Sequence, residues 1–143
     1  MIDFENKTAI NIDISLLEQI AADICGKDFE LIITDNQDIK EINNQFRQID
    51  KSTDVLSFPY DDISLQGSII ISYDFAKEYS KQYGDTIDEE LALLFIHGIL
   101  HTLGYDHESD NGEMRAKEAE IIRLYNLPAS LIVRTEFIFN DSL

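Results

Sequence analysis

The chain has 143 residues, 44% of them apolar, and carries 28 acidic against 11 basic side chains for a formal net charge of −17. That length and apolar content suit one domain spanning 1–143 with its own core. No apolar run approaches the roughly 20 residues of a membrane span and no basic-then-apolar leader opens the chain, so a soluble, cytoplasmic protein with no membrane partner is expected. The surplus of acid argues against tight nonspecific binding to nucleic acid, which draws on Lys and Arg. A single cysteine, Cys25, excludes an intramolecular disulfide.

In chain order, "SLLEQIAADICG" reads as a helix opened by a capping box of Ser15 and Glu18 and stopped at Gly26. "FELIIT" follows as a strand, and Ile39, Ile42 and Phe46 then fall at helical spacing. "DVLSFP" and "GSIIIS" predict two more strands. Phe75, Ala76 and Tyr79 predict a helix running toward Gly84. A long helix is expected from Thr86, boxed by Glu89, to Gly104; its apolar residues lie on every face, which places it at the centre of the domain. An acidic loop, "DHESDNG", leads into a last helix from about Glu113 to Tyr125. Strands alternating with helices in this way predict a small mixed sheet covered by helices, of the α/β or α+β kind.

All three histidines of the chain lie within "FIHGILHTLGYDH". His97 and His101, four apart on a helix, share a face. Gly104 ends that helix and lets the chain turn back, bringing His107 toward the same point. Three imidazoles with a fourth tetrahedral position left open is the pattern of a catalytic zinc site; one zinc per chain is the expected cofactor, with another divalent transition metal possible on donor type alone. Each histidine could instead be an ordinary hydrogen-bonded residue, but three at this spacing in so apolar a helix would be costly to bury without a common partner. The spacing is also that of metzincin proteases, whose glutamate after the first histidine is here Gly98, so the general base of a peptidase is missing. Gly98 reads either as a close packing point or as room for substrate.

"HGILHTLGYDH" resembles the signature of the YbeY family of bacterial endoribonucleases, and "NNQFRQIDKSTDVLSFP" resembles that family's second block. The resemblance implies an α+β, zincin-like fold with a four-stranded mixed sheet and a buried central helix. It implies a zinc-dependent endoribonuclease specific for single strands, acting in maturation of the 3′ end of small-subunit ribosomal RNA and in ribosome quality control. The partners so implied are single-stranded or ribosomal RNA and ribosomal particles or ribosome-associated proteins.

Carried over residue by residue, His97, His101 and His107 match the metal ligands and Arg47 the functional arginine, a cation set against charge developing on phosphate. The attacking group would be water or a ribose hydroxyl. Asp54 and Ser57 are candidates for substrate positioning, and Asp106 for orienting a ligating imidazole or capping the turn after Gly104. Where the family usually has an acid at the start of a strand, this chain has Ser68. The competing readings are a metalloprotease-like hydrolase and a non-catalytic, metal-stabilised ribosome assembly factor.

Overall fold

A computed structural model describes residues 1–134. Its elements in chain order are β1 (Ile2–Asn6), α1 (Ser15–Ile24), β2 (Asp28–Thr34), α2 (Asn36–Arg47), β3 (Val55–Pro59), β4 (Leu65–Ser72), α3 (Tyr73–Tyr83), α4 (Ile87–Thr102), α5 (Glu113–Leu124) and α6 (Ser130–Arg134). The four strands form one sheet in the order β1-β2-β4-β3. β1, β2 and β4 run parallel, β1 joined to β2 through α1 and β2 to β4 through α2 and β3, and β3 lies antiparallel along β4 at the edge. This is the mixed, helix-covered α+β architecture expected from the sequence.

Side chains alternate across the sheet with the period of two that strands impose. Phe29, Leu31 and Ile33 of β2, Val55 of β3 and Ile69 and Ile71 of β4 join the main core with α1 and α4. Leu56 and Ile70 turn to the other face and meet Ile39 of α2, with Ile32, Ile42 and Phe58 partly buried around them. α4 lies at the centre of the main core: every residue from Glu90 to Leu100 is buried. Its start is the predicted capping box, Thr86 accepting from Glu89 N–H while the Glu89 carboxylate accepts from Thr86 N–H.

Gly98 is where α4 touches the sheet. A Cβ there would stand 2.9 Å from Cγ2 of Ile69, closer than carbon atoms approach, so the glycine sets the distance between helix and strand. Of the two readings of Gly98, close packing has a direct contact behind it.

Other details depart from the sequence reading. Ser15 is the first residue of α1 rather than its cap; the cap position is Ile14, and the Ser15 N–H and hydroxyl both donate to Asp13. β1 and α6 were not located from sequence. Phe46 continues the apolar spacing of α2 but is 61% exposed, its ring 5.7 Å from that of Phe58.

A buried polar chain joins the helices beneath the sheet edge. Arg134 of α6 donates to Glu90 of α4 at 2.7 Å and lies over the rings of Tyr79 and Tyr83 of α3, 4.4 and 4.1 Å from their centres. The Tyr79 hydroxyl donates to Asp54. Burial pushes the Glu90 carboxyl above its ordinary range, and Arg134 holds it back.

The Gly98 contact carries a prediction. Gly98→Ala should cost about 1–3 kcal/mol of stability, the usual penalty for overpacking a filled core, because Ile69 is itself enclosed; urea denaturation of metal-free protein measures it.

Candidate metal centre

The helix and the turn that follows it bring the three histidines together. α4 ends at Thr102, and Gly104, at φ 100°, reverses the chain. Tyr105 N–H bonds back to Leu100 O and Gly104 N–H to His101 O, the pair of hydrogen bonds that closes a Schellman turn. His107 follows within three residues. The candidate ligand atoms of His97, His101 and His107 lie within 4.8 Å of one another. The Nε2 atoms of His97 and His101 are 3.0 Å apart. Among the described residues this is the group of donors able to share an ion.

The surroundings suit an ion. The Nδ1 of His107 is enclosed and has no hydrogen-bond partner among the described residues, a costly arrangement unless that ring is held in place by something else. Burial, then the proximity of His97 and His107, depresses His101 to about 4, while Asp106 and a backbone hydrogen bond with Tyr105 act in the opposite sense. His101 is therefore a neutral imidazole near pH 7, the form that ligates.

The remaining candidates fall elsewhere. Arg47, the last residue of α2, precedes Gln48, whose left-handed φ of 57° ends the helix. It lines a cavity of about 330 Å³ with Asn43, Lys51, Ser52, Thr53 and Phe75, and no histidine is part of that wall. Asp54 is fully buried: Oδ1 accepts from Val55 N–H and Oδ2 from Tyr79, so it pins the start of β3 to α3. Ser57, also buried, is paired in register with Ile69 and alternates with Leu56 onto the α4 face. Asp106 accepts from Glu108 N–H and the Ser109 hydroxyl, holding the turn that carries His107. Cys25 stands apart, its thiol near Gln66.

Ser68 faces the other side of the sheet, with Ile70 in the wall of a second groove. Its hydroxyl donates to Glu30 on the paired strand at 2.5 Å and meets the Tyr60 hydroxyl at 2.6 Å. A carboxylate is thus present beside this position, supplied by β2 instead of β4, and it lies away from the histidines.

Sequence reasoning missed Glu118. It sits on α5 with its side chain 1% exposed, as is that of His97, and its Oε2 is 3.3 Å from His97 Nδ1. Burial pushes its carboxyl up to about 8, and His107 and Arg115 pull it back. In the sequence it is one more acid in "EMRAKEAEIIRL"; the only signal was its place four residues after Met114 and four before Ile122, on a face otherwise apolar.

A mixed sheet, a buried helix with His-x3-His and a third histidine after a glycine turn define a zincin-like domain with a three-imidazole cluster that could hold a metal ion. The model of the family described as Endoribonuclease YbeY matches residues 3–126. Proteins named Endoribonuclease YbeY from Sulfurimonas denitrificans and Nautilia profundicola are each 56% identical over 138 residues, covering 95% of this chain and 99% of theirs. A third of that name, from a Sulfurovum species, is 52% identical over 145 residues and covers 95% of this chain and 98% of its own. A solution structure from Thermotoga maritima superposes with a TM-score of 0.64 at 27% identity, covering 96% of this chain and 93% of that one. The chain belongs to the YbeY endoribonuclease family.

The depressed His101 gives a pH prediction. Its ring takes up a proton near 6.5 in the unfolded chain but only near 4 when folded. Between those values the unfolded state binds the extra proton, so falling pH favours unfolding. The raised Glu118 carboxyl acts in the opposite sense over this window and is common to wild type and variant, so it is the difference that isolates His101: metal-stripped wild type should fall in melting temperature relative to His101→Gln as pH drops from 6.5 toward 4 in a thermal scan.

Proposed function

We propose that this chain is a zinc-dependent endoribonuclease that cuts single-stranded RNA during maturation of the 3′ end of small-subunit ribosomal RNA, works in the cytoplasm with ribosomal particles, and contributes to ribosome quality control. Residues 1–143 act as one domain. The observation that carries the reading is the convergence of three imidazoles, one with an orphaned nitrogen, in a chain of this endoribonuclease family. Among the described residues no helix is long and apolar enough to cross a membrane.

His97, His101 and His107 would hold the ion, and zinc is proposed because three neutral imidazoles suit it. When bound, it supplies Lewis acidity for a phosphoryl oxygen and for the acidification of water. The protein's own contribution is charge. Arg47 and Lys51 share a concave wall on which no carboxylate intrudes among the described residues, in a chain whose formal charge is −17. That cavity is the place for a phosphate of the strand, with the Ser52 and Thr53 hydroxyls as further donors and Phe75 as an apolar surface for a base. Arg47 then opposes charge developing on phosphate. Asp54 fixes the start of β3 beside this wall, Ser57 and Gly98 set how α4 meets the sheet, and Asp106 holds the loop bearing His107. A peptidase is disfavoured because Gly98, the place of its general base, has no room for a side chain.

Cleavage of a single-stranded RNA should stop on chelation and return with added zinc. Arg47→Ala should lower it by about 10² or more while elemental analysis still finds the metal. Normal cleavage by Arg47→Ala, or by chelated protein, contradicts these assignments.

Salt dependence tests the small cationic patch. Two phosphate contacts at a slope of about −0.7 each on single strands give roughly a sevenfold loss of affinity between 50 and 200 mM salt. A loss of about 10³ or more over that range, as expected of 6–10 contacts, would require a cationic surface that the cavity does not provide.

A further inference from the structure

His97 presents its two nitrogens to different neighbours. Nε2 faces His101, on the side where the three rings converge, and Nδ1 faces Glu118 at 3.3 Å. An imidazole that gives Nε2 to an ion carries its proton on Nδ1, and in surroundings this dry that N–H requires an acceptor. Glu118 is placed to be that acceptor, and little else in its setting accounts for it. Its neighbours on the same face of α5, Met114, Ile121 and Ile122, are apolar and buried, so an apolar residue at 118 would avoid the cost of burying a carboxylate. Asp106 and Asp110, the other acids near the centre, are engaged by the loop, Asp106 through Glu108 N–H and Ser109 and Asp110 through the N–H groups of Gly112 and Met114.

We propose that Glu118 is a positioning residue of the metal centre: its carboxylate accepts the Nδ1–H of His97, selects the tautomer whose Nε2 is free to ligate, and places a negative charge behind the ligand set. This rests on the metal reading above. Three neutral imidazoles leave the charge of a divalent ion uncompensated, and a carboxylate behind one of them offsets it while raising the basicity of that ring. Glu118 also makes α5 part of the site, since α4 alone could not hold the ring against rotation.

The test uses the full chain with zinc alone as probe. Zinc affinity is measured by competition with a chromophoric chelator, and the tautomer of His97 by ring-nitrogen NMR of the chelated protein near pH ~9, above the raised carboxyl of Glu118, where that group is the carboxylate that an ion would also favour. Wild type should show His97 protonated on Nδ1. Glu118→Ala should weaken zinc binding by about 10- to 100-fold and let His97 exchange between tautomers. Glu118→Gln, nearly the same shape and still able to accept, should keep the tautomer but lose about tenfold in zinc affinity through the missing charge. A purely structural role would lower the melting temperature without moving the ring-nitrogen signals or the zinc affinity of the folded protein, and that result overturns the proposal. If Glu118→Ala does not fold, Glu118→Gln decides: wild-type zinc affinity in that variant overturns it. Failure of wild type to bind zinc would instead sink the metal reading itself.

Discussion

A helix buried on every side can carry imidazoles only if their nitrogens find partners, because a polar group left alone in such a place costs on the order of 1–3 kcal/mol. α4 is that helix, buried from Glu90 to Leu100 and bearing His97 within that stretch. The other features of the site answer this constraint. Gly104 reverses the chain so that His107 joins the pair. α5 brings Glu118 to the far side of His97. Gly98 lets this stretch of the helix come close to Ile69 of the sheet.

The same helix carries a second buried charge at its other end. Glu90 is matched by Arg134, which in turn rests on Tyr79 and Tyr83, and Tyr79 reaches Asp54 at the start of β3. Breaking one partner of such a buried pair is far more costly than replacing both. The chain of contacts therefore fixes α3, α4, α6 and β3 relative to one another, at the end of β3 nearer Thr53, whose side chain lines the Arg47 cavity. A rigid frame behind the Arg47 cavity would suit the proposed chemistry, which depends on holding a phosphate in a set place.

What could be read from the sequence follows from how local each signal is. The capping box at Thr86, the all-round apolar character of α4 and the His-x3-His spacing are contained within a helical turn or two, and all are present in the fold. β1 escaped because "IDFEN" offers only Ile2 and Phe4 to the core between acids, a pattern too short to stand out, and its strand character comes from pairing with β2. Ser15 misled because Asp13, two residues earlier, takes its hydroxyl. Glu118 and Asp54 were obscure for a different reason. Their partners, His97 and Tyr79, are 21 and 25 residues distant in the chain, and nothing in the spacing of a charged residue says which tertiary contact will bury it.

The acid surplus becomes intelligible when charge is placed on the fold. A carboxylate near the leaving or attacking oxygens of a phosphodiester would repel the substrate, yet Glu118 is kept behind His97, and Glu30 with Ser68 faces the opposite side of the sheet. Arg47 and Lys51 line a cavity with no acid in its wall among the described residues. Screening at physiological salt limits exposed charges to about 8 Å of influence, so a strand seated in that cavity, as proposed, would feel the local cations more than the distant net charge.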